Sequence, residues 1–218
     1  MSDSKIDLSR VTAVCVDGRL IDDLTLEKYK KILTFMVDKI NFGAIKFIST
    51  KNPEIKGVDF YKTPRFGILD YSKFCLFKLT EYINTDFCLI FQDDGFVLNP
   101  NLWNDSFYDY DYIGSPWPLY IGWPEEGKQV GNGGFSLRSK NLLDFTKTLT
   151  DHTTENEDTY IISVKRKELE DSGLKIAPLE VARLFSVENN LDEDHRLDTC
   201  FGFHAKHLLD DAIKMIQL

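Results

Sequence analysis

The apolar positions of the chain change rhythm repeatedly between strand-like and helix-like. Val11, Thr12, Ala13, Val14, Cys15 and Val16 form a β-branched, apolar run that breaks at Asp17 and Gly18, the pattern of a buried strand ending in a loop. From Thr25 to Ile40 the residues Leu26, Tyr29, Ile32, Leu33, Met36 and Ile40 recur at helical spacing, with lysines and acids between them. This predicts an amphipathic helix, closed by Asn41, Phe42 and Gly43. Residues 45–49, Ile45 to Ser49, predict a second strand. A β-α-β opening is the unit of a parallel sheet with right-handed crossovers, so the fold class is α/β.

Residues 51–69 carry Pro53, Gly57, Pro64 and Gly67 and predict irregular chain. Tyr71, Phe74, Cys75, Leu79 and Tyr82 then mark a helix that feeds a strand at 87–91. That short apolar run ends abruptly in Gln92, Asp93, Asp94 and Gly95. Two adjacent carboxylates repel, so a strand tip holding both is costly unless a cation or a hydrogen-bonding ligand compensates. The plainer alternative is an acidic turn in which Gly95 supplies a positive φ. Trp103, Phe107, Tyr108, Tyr110 and Tyr112 crowd before a short strand at 111–114; such density suits a core and also suits the stacking of sugar rings.

Residues 115–130, with Pro116, Trp117, Pro118, Trp123, Pro124 and Gly127, have no periodicity and are long for a connection, which favours a functional loop or lid. Gly131, Asn132, Gly133 and Gly134 follow, and three glycines in four residues allow backbone to approach a ligand closely or to turn sharply. A helix is predicted over 139–149. An acidic stretch from Asp151 to Asp158 opens another near Glu157 and Asp158, where acids are explained by the helix dipole and equally by a catalytic base. Residues 175–187 predict one or two edge strands, and Glu188 to Asp194 a solvated acidic loop. Phe201 to His204 is a short apolar element tipped with histidine, before a last amphipathic helix carrying Leu208, Leu209, Ala212, Ile213 and Ile216.

At 218 residues the chain predicts one domain over 1–218, with a nucleotide-binding half at about 8–100 and an acceptor or catalytic half at about 101–218; a chain of this size can also be a piece of a longer polypeptide. The net charge of -9 argues against a nucleic-acid partner, because phosphate backbones are bound by clustered Lys and Arg. Cys15, Cys75, Cys88 and Cys200 are far apart and lie mostly in apolar runs, as reduced core residues do. No apolar run approaches the roughly 18 residues of a membrane span. A cytoplasmic protein with no integral membrane segment is expected.

Strand-then-Gln92-Asp93-Asp94, a lid, the glycine segment, Glu157-Asp158 at a helix start and His204 after a strand together resemble the GT-A glycosyltransferases. More closely, residues 91–96 (Phe91 to Phe96), 110–117 (Tyr110 to Trp117) and 130–139 (Val130 to Ser139) resemble a short family of glycosyltransferases of bacteria and large viruses, over nearly the whole chain from Val11 to about Lys206. The resemblance implies a GT-A-like, Rossmann-related, mixed and mostly parallel sheet flanked by helices. It implies transfer of a hexosyl group from a nucleotide sugar, UDP-hexose being the commonest donor of such enzymes, to a glycan acceptor. Asp94 then matches the acid that ligates a divalent cation, Mn²⁺ or Mg²⁺, and His204 matches the late histidine that completes the shell. Asp93 is placed at the ribose or donor sugar. Gln92 stands where many members have an acid, which departs from the pattern at the first motif position. Asp158, with Glu157 as its substitute, matches the pair from which inverting relatives draw a general base. Asp17 is expected near the nucleotide base, with Lys51 and Arg65 as further contacts. Asn132, Gly133 and Gly134 are expected on the acceptor side, and Trp117 and Trp123 over the donor or acceptor.

The physical case stands beside the resemblance. A cation at the leaving diphosphate stabilises developing negative charge, and inversion needs a carboxylate to take the acceptor's proton. An oxygen-rich shell with one imidazole suits Mn²⁺ or Mg²⁺ better than zinc. Two other classes compete. The strand and acidic turn are similar to the haloacid-dehalogenase phosphatases, but their nucleophile position is Gln92 here, and an amide cannot form an aspartyl-phosphate. A carbohydrate-binding module holding Ca²⁺ through Asp93 and Asp94 is usually all-β, against the β-α-β opening.

Overall fold

In the computed structural model, which describes residues 5–19, 21–122, 124–150 and 156–216, the chain builds a sheet around its first strand. Strand β1 (Ile6–Asp17) is flanked by β2 (Ile40–Ser49) on one side and β4 (Phe87–Ile90) on the other, both parallel to it. Its alternate side chains serve two cores. Leu8, Val11, Ala13 and Cys15 pack with Tyr29, Ile32, Leu33 and Met36 of helix α1 (Asp23–Lys39), while Val14 and Val16 face Tyr71 and Cys75 of helix α2 (Ile68–Phe77). Burial on both faces is why β1 reads as a continuous apolar run rather than an alternating one. Asp22 caps α1 by accepting from the Thr25 N–H at 2.7 Å, and Lys39 sits in the last turn, where its charge suits the helix dipole.

Six strands complete this sheet in the order β3-β2-β1-β4-β6-β5, with β3 (Asp59–Lys62), β5 (Tyr112–Gly114) and β6 (Ser136–Ser139) added to those above. The sheet is parallel except for β6, which runs against both β4 and β5. Ser139 then caps helix α3 (Lys140–Thr148) by accepting from Leu142 N–H at 3.0 Å. The chain continues through a short helix α4 (Glu157–Thr159) that widens into a π-turn over Tyr160–Val164, then α5 (Arg166–Asp171), α6 (Leu179–Phe185), the two-residue parallel pair β7 (Ser186–Val187) and β8 (Gly202–Phe203), and α7 (Leu209–Ile216).

The mixed α/β sheet flanked by helices is as expected, and three local expectations are corrected. The irregular 51–69 stretch contains edge strand β3, whose sequence, Asp59 to Lys62, has a charge at each end and so reads as surface. The segment expected to form edge strands at 175–187 is mostly helix α6, because Ala182 and Phe185 fall on one buried helical face after Pro178 opens the first turn. The Ser136–Ser139 part of the glycine segment is a central strand, hidden in the sequence because Leu137 is its only apolar residue. The crowded aromatics resolve as core: Trp103, Phe107, Phe135, Phe185 and Phe201 pack edge-on and stacked at centroid distances of 5.1–6.5 Å. Among the described residues no helix is long and apolar enough to cross a membrane.

Leu89 in the middle of β4 is fully buried, whereas Leu24 at the start of α1 is 80% exposed. Leu89→Ala is expected to cost about 2–5 kcal/mol of unfolding free energy and Leu24→Ala less than about 0.5 kcal/mol, read from urea midpoints at unchanged m-value.

Candidate active site

Parallel neighbours end on the same side of a sheet, so β1 and β4 deliver Asp17, Asp93 and Asp94 to one edge, the usual place for a ligand in an open α/β sheet. Asp17 is buried and already engaged. Its Oδ1 accepts from the Arg19 backbone N–H at 3.0 Å and from Arg19 Nε at 2.9 Å, and its Oδ2 accepts from Arg19 Nη2 at 2.5 Å and from the Tyr29 hydroxyl at 2.8 Å. Asp93 is engaged too, with Oδ1 2.7 Å from Arg19 Nη2 and Oδ2 3.0 Å from Lys28 Nζ. Burial alone would push the Asp93 carboxyl up, but the hydrogen bonds and charges of Arg19 and Lys28 outweigh it and hold the group below the usual carboxylate range. The repulsion of adjacent acids is thus relieved at Asp93 by the protein's own cations.

Asp94 points elsewhere. Its Oδ1 lies 3.6 Å from His204 Nε2, and the Gln92 amide oxygen lies 3.4 Å from the same nitrogen. The Gln92 orientation is fixed by donation from Nε2 to the Tyr71 hydroxyl at 3.1 Å. The other ring nitrogen, His204 Nδ1, has Asn132 Nδ2 at 2.8 Å and Glu188 Oε1 at 3.8 Å. A proton on Nδ1, shared with Glu188, leaves the Nε2 lone pair facing Asp94; a proton on Nε2 lets Asn132 donate to Nδ1. Burial would lower the His204 pKa, but Glu188, Asp94 and Asp158 together raise it above its ordinary value.

Among the described residues no group of three or more His, Cys, Asp or Glu is arranged to hold a metal ion. Asp94, His204 Nε2 and the Gln92 carbonyl oxygen nevertheless converge as a mixed oxygen and nitrogen set. Such a set fits a divalent cation that completes its shell with water and substrate phosphate oxygens, as Mg²⁺ commonly does. It does not fit a closed structural zinc site, which takes four protein ligands.

The glycine segment packs beneath this cluster. The Asn132 backbone has φ 48°, and its side-chain oxygen accepts from the Gly134 and Phe135 N–H groups at 3.0 and 3.4 Å. A Cβ at Gly134 would overlap the His204 ring, and one at Gly133 would overlap the Glu157 carboxylate. The glycines are therefore demanded by close approach of side chains. Gly133 N–H donates to Asp158 Oδ2 at 2.8 Å, and the Thr159 N–H donates to Asp158 Oδ1 at 2.7 Å, so Asp158 is held half-buried within electrostatic range of His204. Glu157, expected as its substitute, is buried and bonded to Arg138 Nη2 at 2.9 Å. Burial pushes its carboxyl up and the Asp158 charge adds to this, partly countered by Arg138. It packs against the glycine segment, outside the cleft lining.

Phe66, Ile68 and Tyr71, together with Asp17, Arg19, Gln92, Asp94 and Lys206, line a cleft of about 260 Å³. Asp17, Gln92 and Asp94 of the expected set line it; Asn132, Gly134 and His204 stand immediately behind. Lys51 is paired with Asp23 at 2.7 Å, and Arg65 lines a separate hollow with Thr63 and Lys73; neither belongs to the cleft lining. Trp117 is buried, and its Nε1 donates to Glu188 Oε2 at 3.0 Å, which anchors the base of the 115–130 loop; it is not among the residues lining the cleft. Trp123 and residues 151–155 of the acidic stretch lie outside the described residues.

Asp192, Glu193 and Asp194 are exposed as a solvated acidic loop would have them, but Glu188 departs from that expectation: it directly follows β7 with a side chain only 22% exposed, between Trp117 and His204. Arg19, Lys28, Tyr71 and Lys206 were not singled out by sequence. Arg19 carried a signal, since it follows a strand tip by two residues, whereas Lys28 looks like any lysine on the polar side of a helix.

With this geometry in view, the family follows: residues 58–204 match the family described as protein of unknown function DUF5672, and the chain belongs to it. Among solved structures the chain is similar to a glycosyltransferase involved in the glycosylation of the major capsid of PBCV-1, at 11% identity over 95% of this chain and 99% of that one, with a TM-score of 0.55. It is also similar to the apo form of the glycosyltransferase GlyE of Streptococcus pneumoniae TIGR4, at 11% identity and a TM-score of 0.50, over 99% of this chain and 61% of that one. This chain spans 61% of GlyE's length. The likeness establishes a glycosyltransferase-like fold. No curated protein matches the sequence.

Two expectations follow from the charges. Arg138→Met strands Glu157 without its cation and should cost about 3–5 kcal/mol, whereas the paired change Arg138→Met with Glu157→Leu should recover much of that loss, both measured by chemical denaturation. The depressed Asp93 pKa contributes stability that is present above the unfolded value of about 3.9 and is lost as pH falls through the lower folded value. The stability gap between wild type and Asp93→Asn should accordingly be widest near neutral pH and shrink at about pH 3.

Proposed function

We propose that the chain is a metal-dependent glycosyltransferase that moves a hexosyl group from a nucleotide sugar, a UDP-hexose by preference, to a hydroxyl of a glycan acceptor with inversion. The observation that carries this reading is the cleft itself. Its lining combines Phe66, Ile68 and Tyr71, which suit a flat base, with Asp94, Gln92 and Lys206, groups suited to a diphosphate and its counter-ion. The likeness of fold to two glycosyltransferases supports it.

Asp94, His204 and the Gln92 carbonyl would hold Mn²⁺ or Mg²⁺. Bound there, the ion would supply electrostatic stabilisation of the charge that develops on the leaving diphosphate. Lys206 adds a positive charge to the cleft lining. Glu188 and Asn132 orient the His204 ring from behind, the supporting role that outer groups play for metal-ligating histidines. Asp158 takes the proton of the acceptor hydroxyl as general base, its carboxylate oriented by the Gly133 and Thr159 N–H groups. The loop 115–130 is closed at its base by the Trp117 N–H donating to Gln129 O at 2.6 Å, and its tip, with Leu119 and Tyr120 exposed, offers apolar surface to an acceptor sugar.

The test is a thermal-shift panel of UDP-, GDP-, dTDP- and CMP-sugars, each with Mn²⁺ and with EDTA. One nucleotide class should stabilise the wild type in a metal-dependent way, and Asp94→Ala should lose that shift. Asp158→Asn should bind the donor as wild type does while transfer falls by about 10²-fold or more. A panel in which no sugar nucleotide moves the melting curve would overturn the transferase reading.

A further inference from the structure

We infer that Asp93, although it heads the acidic pair at the tip of β4, binds neither the metal nor the donor. It aims Arg19 into the cleft, and the outer edge of the Arg19 guanidinium grips the nucleotide. The inference rests on the transferase reading above and departs from the role that the resemblance assigns to Asp93.

Both Asp93 oxygens are spoken for, Oδ1 by Arg19 and Oδ2 by Lys28, and the side chain is 11% exposed. A metal ligated there would have to displace two cations, leaving Lys28 without its partner and Arg19 held by Asp17 alone, beside a further double charge. Asp94, the next residue, has no such engagement; the one ion pair formed by its carboxylate among the described residues is with His204.

Arg19 is held at three points. Asp17 takes Nε and Nη2 in a forked pair, Asp93 takes Nη2 from the β4 side, and the Tyr29 hydroxyl buttresses Asp17 from α1. Such bidentate pairing fixes the guanidinium plane as well as its position. Nη1 is left with no hydrogen-bond partner among the described residues. The side chain is 56% exposed and lines the cleft beside Gly18 and Phe66. An arginine fixed in this way presents two N–H donors in a preset direction, at little further entropic cost, to the carbonyl and phosphate oxygens of a nucleotide. The cluster of Asp17, Asp93, Arg19 and Lys28 has no net charge, so the grip is directional rather than a general attraction for anions. Asp17 and Asp93 are positioning residues; Arg19 is the binding residue.

The experiment is calorimetric titration of the whole chain with UDP, GDP and dTDP at a series of Mn²⁺ concentrations, together with donor KM and kcat, for wild type, Arg19→Lys, Arg19→Ala, Asp93→Ala, Asp93→Asn, the double variant Arg19→Ala with Asp93→Ala, and Asp94→Ala. Arg19→Lys keeps a positive charge beside Asp17 and Asp93 but loses the fork and the outer edge. It should keep the melting temperature of the free protein closer to wild type than Arg19→Ala does, while the diphosphate binds about 10-fold to 100-fold more weakly. Donor KM should rise with kcat within about twofold. Asp93→Ala should weaken the diphosphate several-fold, Asp93→Asn less because its amide oxygen still accepts from Arg19, and the double variant no more than Arg19→Ala alone. The Mn²⁺ concentration needed for binding should be unchanged in all of these and raised in Asp94→Ala alone. Additive losses in the double variant, or an Mn²⁺ requirement raised by Asp93→Ala as by Asp94→Ala, would overturn the inference. So would a wild type that binds a diphosphate while Arg19→Lys binds it equally well, with the transferase reading left standing. A wild type that binds none of the three diphosphates would overturn the inference together with the nucleotide-diphosphate donor on which it rests.

Discussion

The ion pair between Arg138 and Glu157 is the constraint on which the site's geometry hangs. Arg138 sits at the middle of β6, the one reversed strand of the sheet, opposite Cys88 of β4 and Tyr112 of β5, with its side chain fully buried. Burying a guanidinium is costly, and a single carboxylate barely compensates; among the described residues Nη1 has no hydrogen-bond partner and the group leans on the Tyr112 ring at 5.4 Å. What the pair fixes is position. It draws the start of α4 onto the underside of the glycine segment so closely that Gly133 has no room for a side chain. The next residue, Asp158, then meets the Gly133 N–H. The candidate base is placed by a charge pair one residue away that lies outside the cleft lining.

The strand tips solve a related electrostatic problem by division. Parallel pairing brings three carboxylates to one sheet edge, and in a low-dielectric setting they cannot all stay ionised without partners. Asp17 and Asp93 are satisfied internally by Arg19, Lys28 and Tyr29. Asp94 lines the cleft as Asp17 does, but it alone of the three is turned toward His204. An acidic pair that reads as one motif in the sequence is thus split in space, one member holding the scaffold and the other held ready. The backbone reinforces the split: the Asp94 carbonyl accepts from the Ala205 N–H at 2.9 Å, which ties β4's tip to the chain just after His204.

How much of this was legible follows from the range of each interaction. β1, α1, β2, α2, β4, α3 and α7 are written in local apolar periodicity, and each lies close to where the pattern put it. The acidic tip and the glycine segment were also legible, because a strand ending in carboxylates and a run of glycines are local anomalies. What could not be read is what those residues touch. Nothing local tells that Glu157 faces an arginine and Asp158 a backbone amide, since the two differ by one position on a short helix. Lys28 and Arg19 meet Asp93 across 65 and 74 residues of chain, and β6 is a strand only because β4 and β5 flank it. Glu188 looked solvated because it opens an acidic loop, and it is the fold of β7 against β8 that turns it inward.

Glu188 shows how such long-range placement joins separate parts of the site. One carboxylate oxygen accepts from Trp117 at the base of the 115–130 loop, and the other faces Nδ1 of His204. The imidazole presents its Nε2 lone pair toward Asp94 only when Nδ1 carries the proton, and Glu188 is the acceptor on that side; the Asn132 amide, whose oxygen is occupied by the Gly134 and Phe135 N–H groups, offers a donor instead. The two neighbours therefore favour opposite tautomers. Trp117, Glu188 and His204 thus form one continuous run of polar contacts from the base of the 115–130 loop to the imidazole.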